Sequence, residues 1–100
     1  MSSDTLMTEL RAQLACAFRW TSRLDMHEAT ANHFSVATSA GGERFLINPE
    51  GRHFAELRAS DLIEVDANAG SRPEGVDPTA WAIHGAMHRQ GREVGCILHS

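Results

Sequence analysis

The sequence predicts an α/β fold, and three observations carry that expectation. Apolar residues recur at three- and four-residue steps near the N-terminus, as on one face of a helix. Short alternating segments separated by Gly, Asn, Asp and Pro follow, as strands joined by turns do. A second helical segment opens at Asp77-Pro78 and leads into a closing apolar run. At 100 residues there is room for one domain and not two. The 42% apolar and 22% charged content belongs to an ordinary globular chain rather than a disordered one.

The first helix is expected from about residue 4 to the low twenties. Leu6, Leu10, Leu14, Ala17 and Phe18 form its apolar stripe, widened by Met7, with Glu9, Arg11 and Gln13 on the other side. Ser3 or Asp4 can cap its start, and Asp25 with the polar stretch after it ends the pattern. Residues 25–32 are a polar connection. Phe34-Ser35-Val36-Ala37-Thr38 reads as a strand, Ser39-Ala40-Gly41-Gly42-Glu43 as a tight turn, and Phe45-Leu46-Ile47 as the returning strand of an antiparallel hairpin. Asn48-Pro49-Glu50-Gly51 ends it with turn chemistry. Leu62-Ile63-Glu64-Val65-Asp66 is a third strand, and residues 67–77 are a loop. Asp77 caps the second helix with Pro78 at its first position; Ala80, Ile83 and Met87 supply its core stripe, and Gly91 stops it. The run Val94-Gly95-Cys96-Ile97-Leu98-His99-Ser100 reads as a buried strand that needs neighbours on both edges.

The net charge is −4, and all nine basic residues are arginines scattered along the chain, which argues against a nucleic-acid binder. No apolar run reaches the ~20 residues of a membrane helix. The polar, acidic N-terminus does not resemble a secretory leader, so a cytoplasmic protein with two reduced, buried thiols at Cys16 and Cys96 is expected. That leaves small molecules or other subunits as partners.

Six histidines in this length invite chemistry. His84 and His88 lie four apart on one helical face, a spacing that serves either a shared metal ion or a packed, hydrogen-bonded pair. His27 and His53 fall in loops, where local turn or surface roles are the default. His99 closes an apolar strand, the place where α/β proteins gather catalytic groups, and is a candidate ligand. Gly51 after Asn48-Pro49-Glu50 can expose backbone N–H groups to an anion or simply make a turn.

The blocks Ala31-Asn32-His33-Phe34-Ser35-Val36, Phe45-Leu46-Ile47-Asn48-Pro49-Glu50-Gly51, Ala59-Ser60-Asp61-Leu62-Ile63-Glu64-Val65-Asp66, Ile83-His84-Gly85-Ala86-Met87-His88 and Val94-Gly95-Cys96-Ile97-Leu98-His99-Ser100 together resemble the class II aldolase/adducin family. Nearly the whole chain takes part, and several ordered blocks are more specific than any single motif. The resemblance implies the N-terminal part of an α/β/α sandwich around a mainly antiparallel sheet, truncated at its C-terminal side. Family members are usually over twice this length and commonly tetramers. Their enzymes use a divalent metal, often zinc, as a Lewis acid that stabilises an enediolate in sugar-phosphate aldol cleavage or epimerisation.

Carried across residue by residue, His99 matches the first histidine of the family's H-x-H metal pair, whose second member would be residue 101. The helix-start glutamate that acts as acid/base aligns with Ala80, and the paired serines before it with Pro78 and Thr79. The glycine–asparagine pair of the phosphate pocket becomes Asn32-His33 with Ser35 kept, and its threonine–glycine turn becomes Glu50-Gly51. A carboxylate there would repel a phosphate. The resemblance therefore leans to the adducin-like branch. It implies His99 on the metal and His33, Ser35, Gly51 and Thr79 on the substrate side. The substrate expected is a small hydroxy-carbonyl or carboxylated compound, turned over by a lyase of the aldolase, epimerase or decarboxylase kind. The 100-residue chain alone is expected to be inactive. The alternative is an adducin-like interaction domain that keeps the fold without the chemistry.

Overall fold

The computed structural model describes residues 3–26, 32–41, 43–90 and 95–99. In chain order these form helix α1 (Ser3–Arg23), strands β1 (His33–Ala37) and β2 (Arg44–Ile47), and two single-turn 3-10 helices at Phe54–Glu56 and Ala59–Asp61. Strand β3 (Ile63–Asp66), helix α2 (Pro78–Gln90) and strand β4 (Cys96–His99) follow. The sheet has four strands in the order β3-β2-β1-β4, and each neighbouring pair is antiparallel. His27, Ala31, Gly42, Gly91, Val94 and Ser100, singled out above, lie outside the described residues.

Strand alternation sorts the core into two layers. Phe34 and Leu46 point to α1, where they meet Leu14, Phe18, Phe54, Leu57 and Leu62. Phe45 and Ile47 point the other way, into a cluster with Val65, Ala67, Val76 and Ala80 of the α2 side. A helix therefore covers each face of the sheet. The hairpin forms as expected: Val36 pairs with Leu46, Ser35 with Ile47, and the Thr38 N–H donates to the Arg44 carbonyl at 2.8 Å.

Helix α1 ends in a Schellman turn. The Asp25 N–H donates to the Ser22 carbonyl and the Met26 N–H to the Thr21 carbonyl, both at 3.0 Å, with Asp25 at φ 56°. An aspartate tolerates this left-handed conformation at some cost, whereas glycine adopts it freely. Asp25→Gly is expected to raise stability by roughly 0.5–1 kcal/mol. A urea midpoint that stays put or falls would contradict that account of the turn.

Several sequence expectations are corrected. Helix α1 starts at Ser3, so Asp4 sits inside its first turn, where its charge complements the helix dipole. Leu6 is 46% exposed and drops out of the stripe. Arg11 joins the packed side instead, its guanidinium donating to the carbonyls of Ala59 (3.2 Å) and Leu62 (2.8 Å), which close the second 3-10 turn. Cys16 and Cys96 are free thiols but exposed, not buried. Strand β4 is an edge strand in which only Ile97 is buried; Leu98 is 61% exposed. Its apolar composition reads as that of a strand with two neighbours, and among the described residues β1 lies beside it on one side, in line with a domain truncated at its C-terminal side.

The largest correction concerns α2. Its start is as expected, since Asp77 Oδ1 accepts from the Ala80 N–H at 3.0 Å with Pro78 at the first helical position. Its buried face is not. Ile83 and Met87 are 39% and 45% exposed, and the helix buries Ala80, His84, Gly85 and His88. The imidazoles can turn inward because the sheet offers them a hydroxyl, as the next section describes.

Candidate functional site

The α2 face of β1 carries the chemistry. His33 and Ser35 alternate onto that face, and both are buried with His84 and His88 opposite them. Ser35 Oγ lies 2.6 Å from His84 Nδ1 and 2.8 Å from His88 Nε2, so one hydroxyl joins the two rings. The His88 ring stacks on Phe45 at 4.4 Å, and the His33 ring stands edge-on to His84 at 6.5 Å between centroids. Across the strand pair, His33 is in register with His99, which is exposed. One described residue thus opens this histidine group to the surface.

Burial dominates the electrostatics. It pushes the His84 imidazolium down to about 4, with further lowering from the neighbouring His33, His88 and His99. His88 is lowered by burial as well. Both rings are therefore neutral at pH 7, each with one N–H and one lone pair. Their far nitrogens, His84 Nε2 and His88 Nδ1, are buried without a hydrogen-bond partner among the described residues. Buried polar atoms of that kind are uncommon away from functional sites.

A buried asparagine fixes the entrance of β1. Asn48 Oδ1 accepts from the Phe34 N–H at 3.1 Å, and Asn48 Nδ2 donates to the Asn32 carbonyl at 3.2 Å. Sequence reasoning assigned Asn48 only to a turn. The signal was present in the hairpin register: with Ser35 opposite Ile47, residue 48 must lie beside residue 34.

The structure places His33 and Ser35 on one strand with His99 in register beside His33, and sets His84 and His88, read from the sequence as a packed or metal-binding pair, against Ser35. Ser35 is fully buried with its hydroxyl engaged by both rings. Gly51 and Thr79 are exposed and outside this group. Gly51 has φ 77° and open space around it, while the neighbouring Glu50 N–H is already bonded to the Gly75 carbonyl at 2.7 Å. His53 caps the first 3-10 turn, its Nδ1 accepting from the Ala55 N–H at 3.1 Å, in line with a local turn role. Ala80 is packed among Phe45, Ile47 and Val65, so a methyl group fills the place of the expected glutamate. Among the described residues no group of three or more histidine, cysteine or carboxylate side chains is placed to hold a metal ion. The described residues alone do not fit the divalent metal that the resemblance implies, since a lone imidazole binds an ion weakly. Nor is any described helix long and apolar enough to cross a membrane.

Known proteins share this sequence and fold in part. A Pseudomonas aeruginosa protein whose name assigns it to aldolase class 2 is 35% identical over 95 residues, covering 92% of this chain and 36% of its own length. Adducin-related protein 1 of Caenorhabditis elegans is 31% identical over 94 residues, covering 89% of this chain and 13% of its own. The solved L-fuculose 1-phosphate aldolase of Glaciozyma antarctica superposes with a TM-score of 0.83 at 28% identity, over 99% of this chain and 42% of that one. The chain thus spans less than half the length of each of these relatives. The profile of the Class II Aldolase and Adducin N-terminal domain matches residues 12–100, and the chain belongs to that family.

Proposed function

We propose that this chain is the N-terminal part of a lyase-type enzyme acting on a small hydroxy-carbonyl or carboxylated compound. The observation that carries this reading is the buried Ser35–His84–His88 group beside His33, in register with the exposed His99, on an aldolase-family sheet. A packing role alone would not require two imidazoles to be buried with unpartnered nitrogens. In this reading the substrate lies on the His33 and His99 side, with Gly51 and Thr79 at its margin. His99 is one ligand of a divalent metal, zinc by expectation, and the remaining ligands are not among the described residues. Tetrameric assembly and a cytoplasmic location complete the proposal.

Elemental analysis of the full-length protein that contains this chain tests it. About one equivalent of zinc or another divalent ion is expected per chain, falling at least about tenfold in His99→Ala, because losing one of three or four ligands weakens a site severely. Unchanged stoichiometric metal in the variant would remove His99 from the centre.

A second reading is favoured by Ala80 and Glu50, which take the places of an acid/base glutamate and of a phosphate-cradling threonine. Both changes suit an adducin-like interaction domain that has kept the fold without catalysis. Absence of bound metal from the full-length protein, together with absence of lyase turnover by it, would decide for it.

A further inference from the structure

A groove runs between helix α1 and residues 57–59, where one 3-10 turn gives way to the next. Its volume is about 540 Å3, within the roughly 300–1,000 Å3 of small-molecule sites. Ala12, Ala15 and Leu57 give it an apolar floor, and Trp20, 55% exposed, stands at its side. Leu57 is fully buried and belongs to the cluster of Phe18 and Phe34, so the floor is continuous with the core on the α1 side. The histidine group lies across the sheet, on the α2 face. The two places are separate.

Three guanidiniums line this groove, those of Arg19, Arg23 and Arg58, and among the described residues none of the three is in an ion pair. Arg19 and Arg23 stand one helical turn apart, where like charges repel. The helix dipole favours Arg23 in the last turn of α1 and does nothing for the other two. Arg19 Nε donates to the Leu57 carbonyl at 3.2 Å, which holds it next to Arg58 and uses one of its five N–H groups. Arg23 lies over the Trp20 ring at 5.7 Å, so its planar fork is held against the indole. Glu56 and Asp61 line an adjoining cleft that shares Arg19 and Arg58. Asp61 is engaged by Arg52 at 3.1 Å, and Glu56 pairs with neither Arg19 nor Arg58. On a chain of net charge −4, this is a concentration of positive charge left without a counter-ion.

We propose that the groove between α1 and residues 57–59 binds a small organic carboxylate with an aromatic body. The carboxylate meets the guanidiniums of Arg19, Arg23 and Arg58, whose forks suit it through paired N–H bonds. The ring rests on Ala12, Ala15 and Leu57 beside the Trp20 indole, where a fully hydrated anion such as phosphate would find no partner for most of its shell. Charge and apolar floor together select the ligand; neither does so alone. The site does not depend on the histidine group, and it stands whether the protein is a lyase or an interaction domain.

Isothermal titration of the full-length protein that contains this chain, with phenylpropionate as the probe, tests the site. Saturable binding is expected with Kd of about 1 mM or tighter, in keeping with so small a ligand. Phenylpropanamide, which keeps the ring and lacks the charge, should bind at least about tenfold more weakly, and propionate, which keeps the charge and lacks the ring, should not bind detectably. Arg58→Gln should weaken the probe about tenfold, and Ala12→Phe, which fills the floor, should abolish its binding. Arg44→Gln, whose native guanidinium is paired with Glu64 on the sheet, should leave it unchanged. A second measurement needs no variant: Cys16 is an exposed thiol lining the groove, so saturating phenylpropionate should slow its alkylation by iodoacetamide several-fold, read by peptide mass spectrometry, without slowing that of Cys96. Equal affinity for the amide, or binding that leaves Cys16 as reactive as before, would overturn the proposal. So would the absence of saturable binding, the groove then being covered by another part of the protein or by a second copy.

Discussion

Phe18→Ala should unfold this protein or bring it close to unfolding. Phe18 is fully buried between the sheet and the first 3-10 turn, its ring stacked on Phe34 at 5.0 Å and set edge-on to Phe54 at 4.6 Å. Phe34 and Phe54 also meet edge-on at 5.1 Å, so the three rings close a triangle that joins α1, β1 and the loop after β2. Truncating a buried phenylalanine costs about 3–5 kcal/mol, from lost transfer energy and the cavity left behind. The lost aromatic pairs, worth about 0.5–1.5 kcal/mol each, place this site toward the upper end. Against a domain stability of about 5–15 kcal/mol, little remains. Each kcal/mol lowers the melting temperature of a domain this size by about 4–8 °C, so a fall of roughly 15–30 °C is expected. Urea denaturation followed by circular dichroism checks it, and a loss under about 1 kcal/mol would refute the three-ring core. Leu6→Ala, at a half-exposed site on the same helix, is the internal control and should stay within about 0.5 kcal/mol.

The second large effect is with pH. In the unfolded chain His84 titrates near its ordinary 6.5, and in the fold burial holds it down to about 4. Between those values the unfolded state binds a proton that the folded state refuses, so stability falls as pH drops from 6.5 to 4. Above 6.5 both states are neutral at this ring and it costs nothing; below 4 the penalty is complete. At about 1.4 kcal/mol per unit the loss from His84 is about 3.5 kcal/mol, and His88, lowered by the same burial, adds to it. His84→Gln keeps an amide to meet Ser35 and cannot titrate, so its stability should be flatter across that window. Equal slopes for the two proteins would show that His84 is not buried as a neutral ring.

Elements governed by local chemistry were legible from the sequence, and those governed by distant partners were not. The hairpin needed only alternation and a small-residue turn, and the α2 start needed only Asp77 before Pro78; both formed as read. The buried face of α2 was not legible, because two stripes compete on it. Ile83 and Met87 are the more apolar pair, but His84 and His88 find a hydroxyl 49 and 53 residues away in sequence, and hydrogen-bonded imidazoles win the interior. No local pattern announces that partner. Strand β4 reads as an interior strand by composition, and among the described residues it has a neighbour on one side only, with Leu98 left exposed. Family resemblance offered His33, Ser35 and His99 as candidates, but could not say that Ser35 would be occupied by two histidines of the facing helix.

The asparagine at the end of β2 has a wider reach than its two bonds suggest. Asn48 grips the first residues of β1, and two positions later the Glu50 N–H is tied to Gly75, just ahead of the Val76 and Asp77 that seat and cap α2. The segments bearing His33 and the paired imidazoles therefore hang from one common strap. A disturbance in that outlying bend would displace both together, spoiling their mutual alignment without touching a single reactive atom.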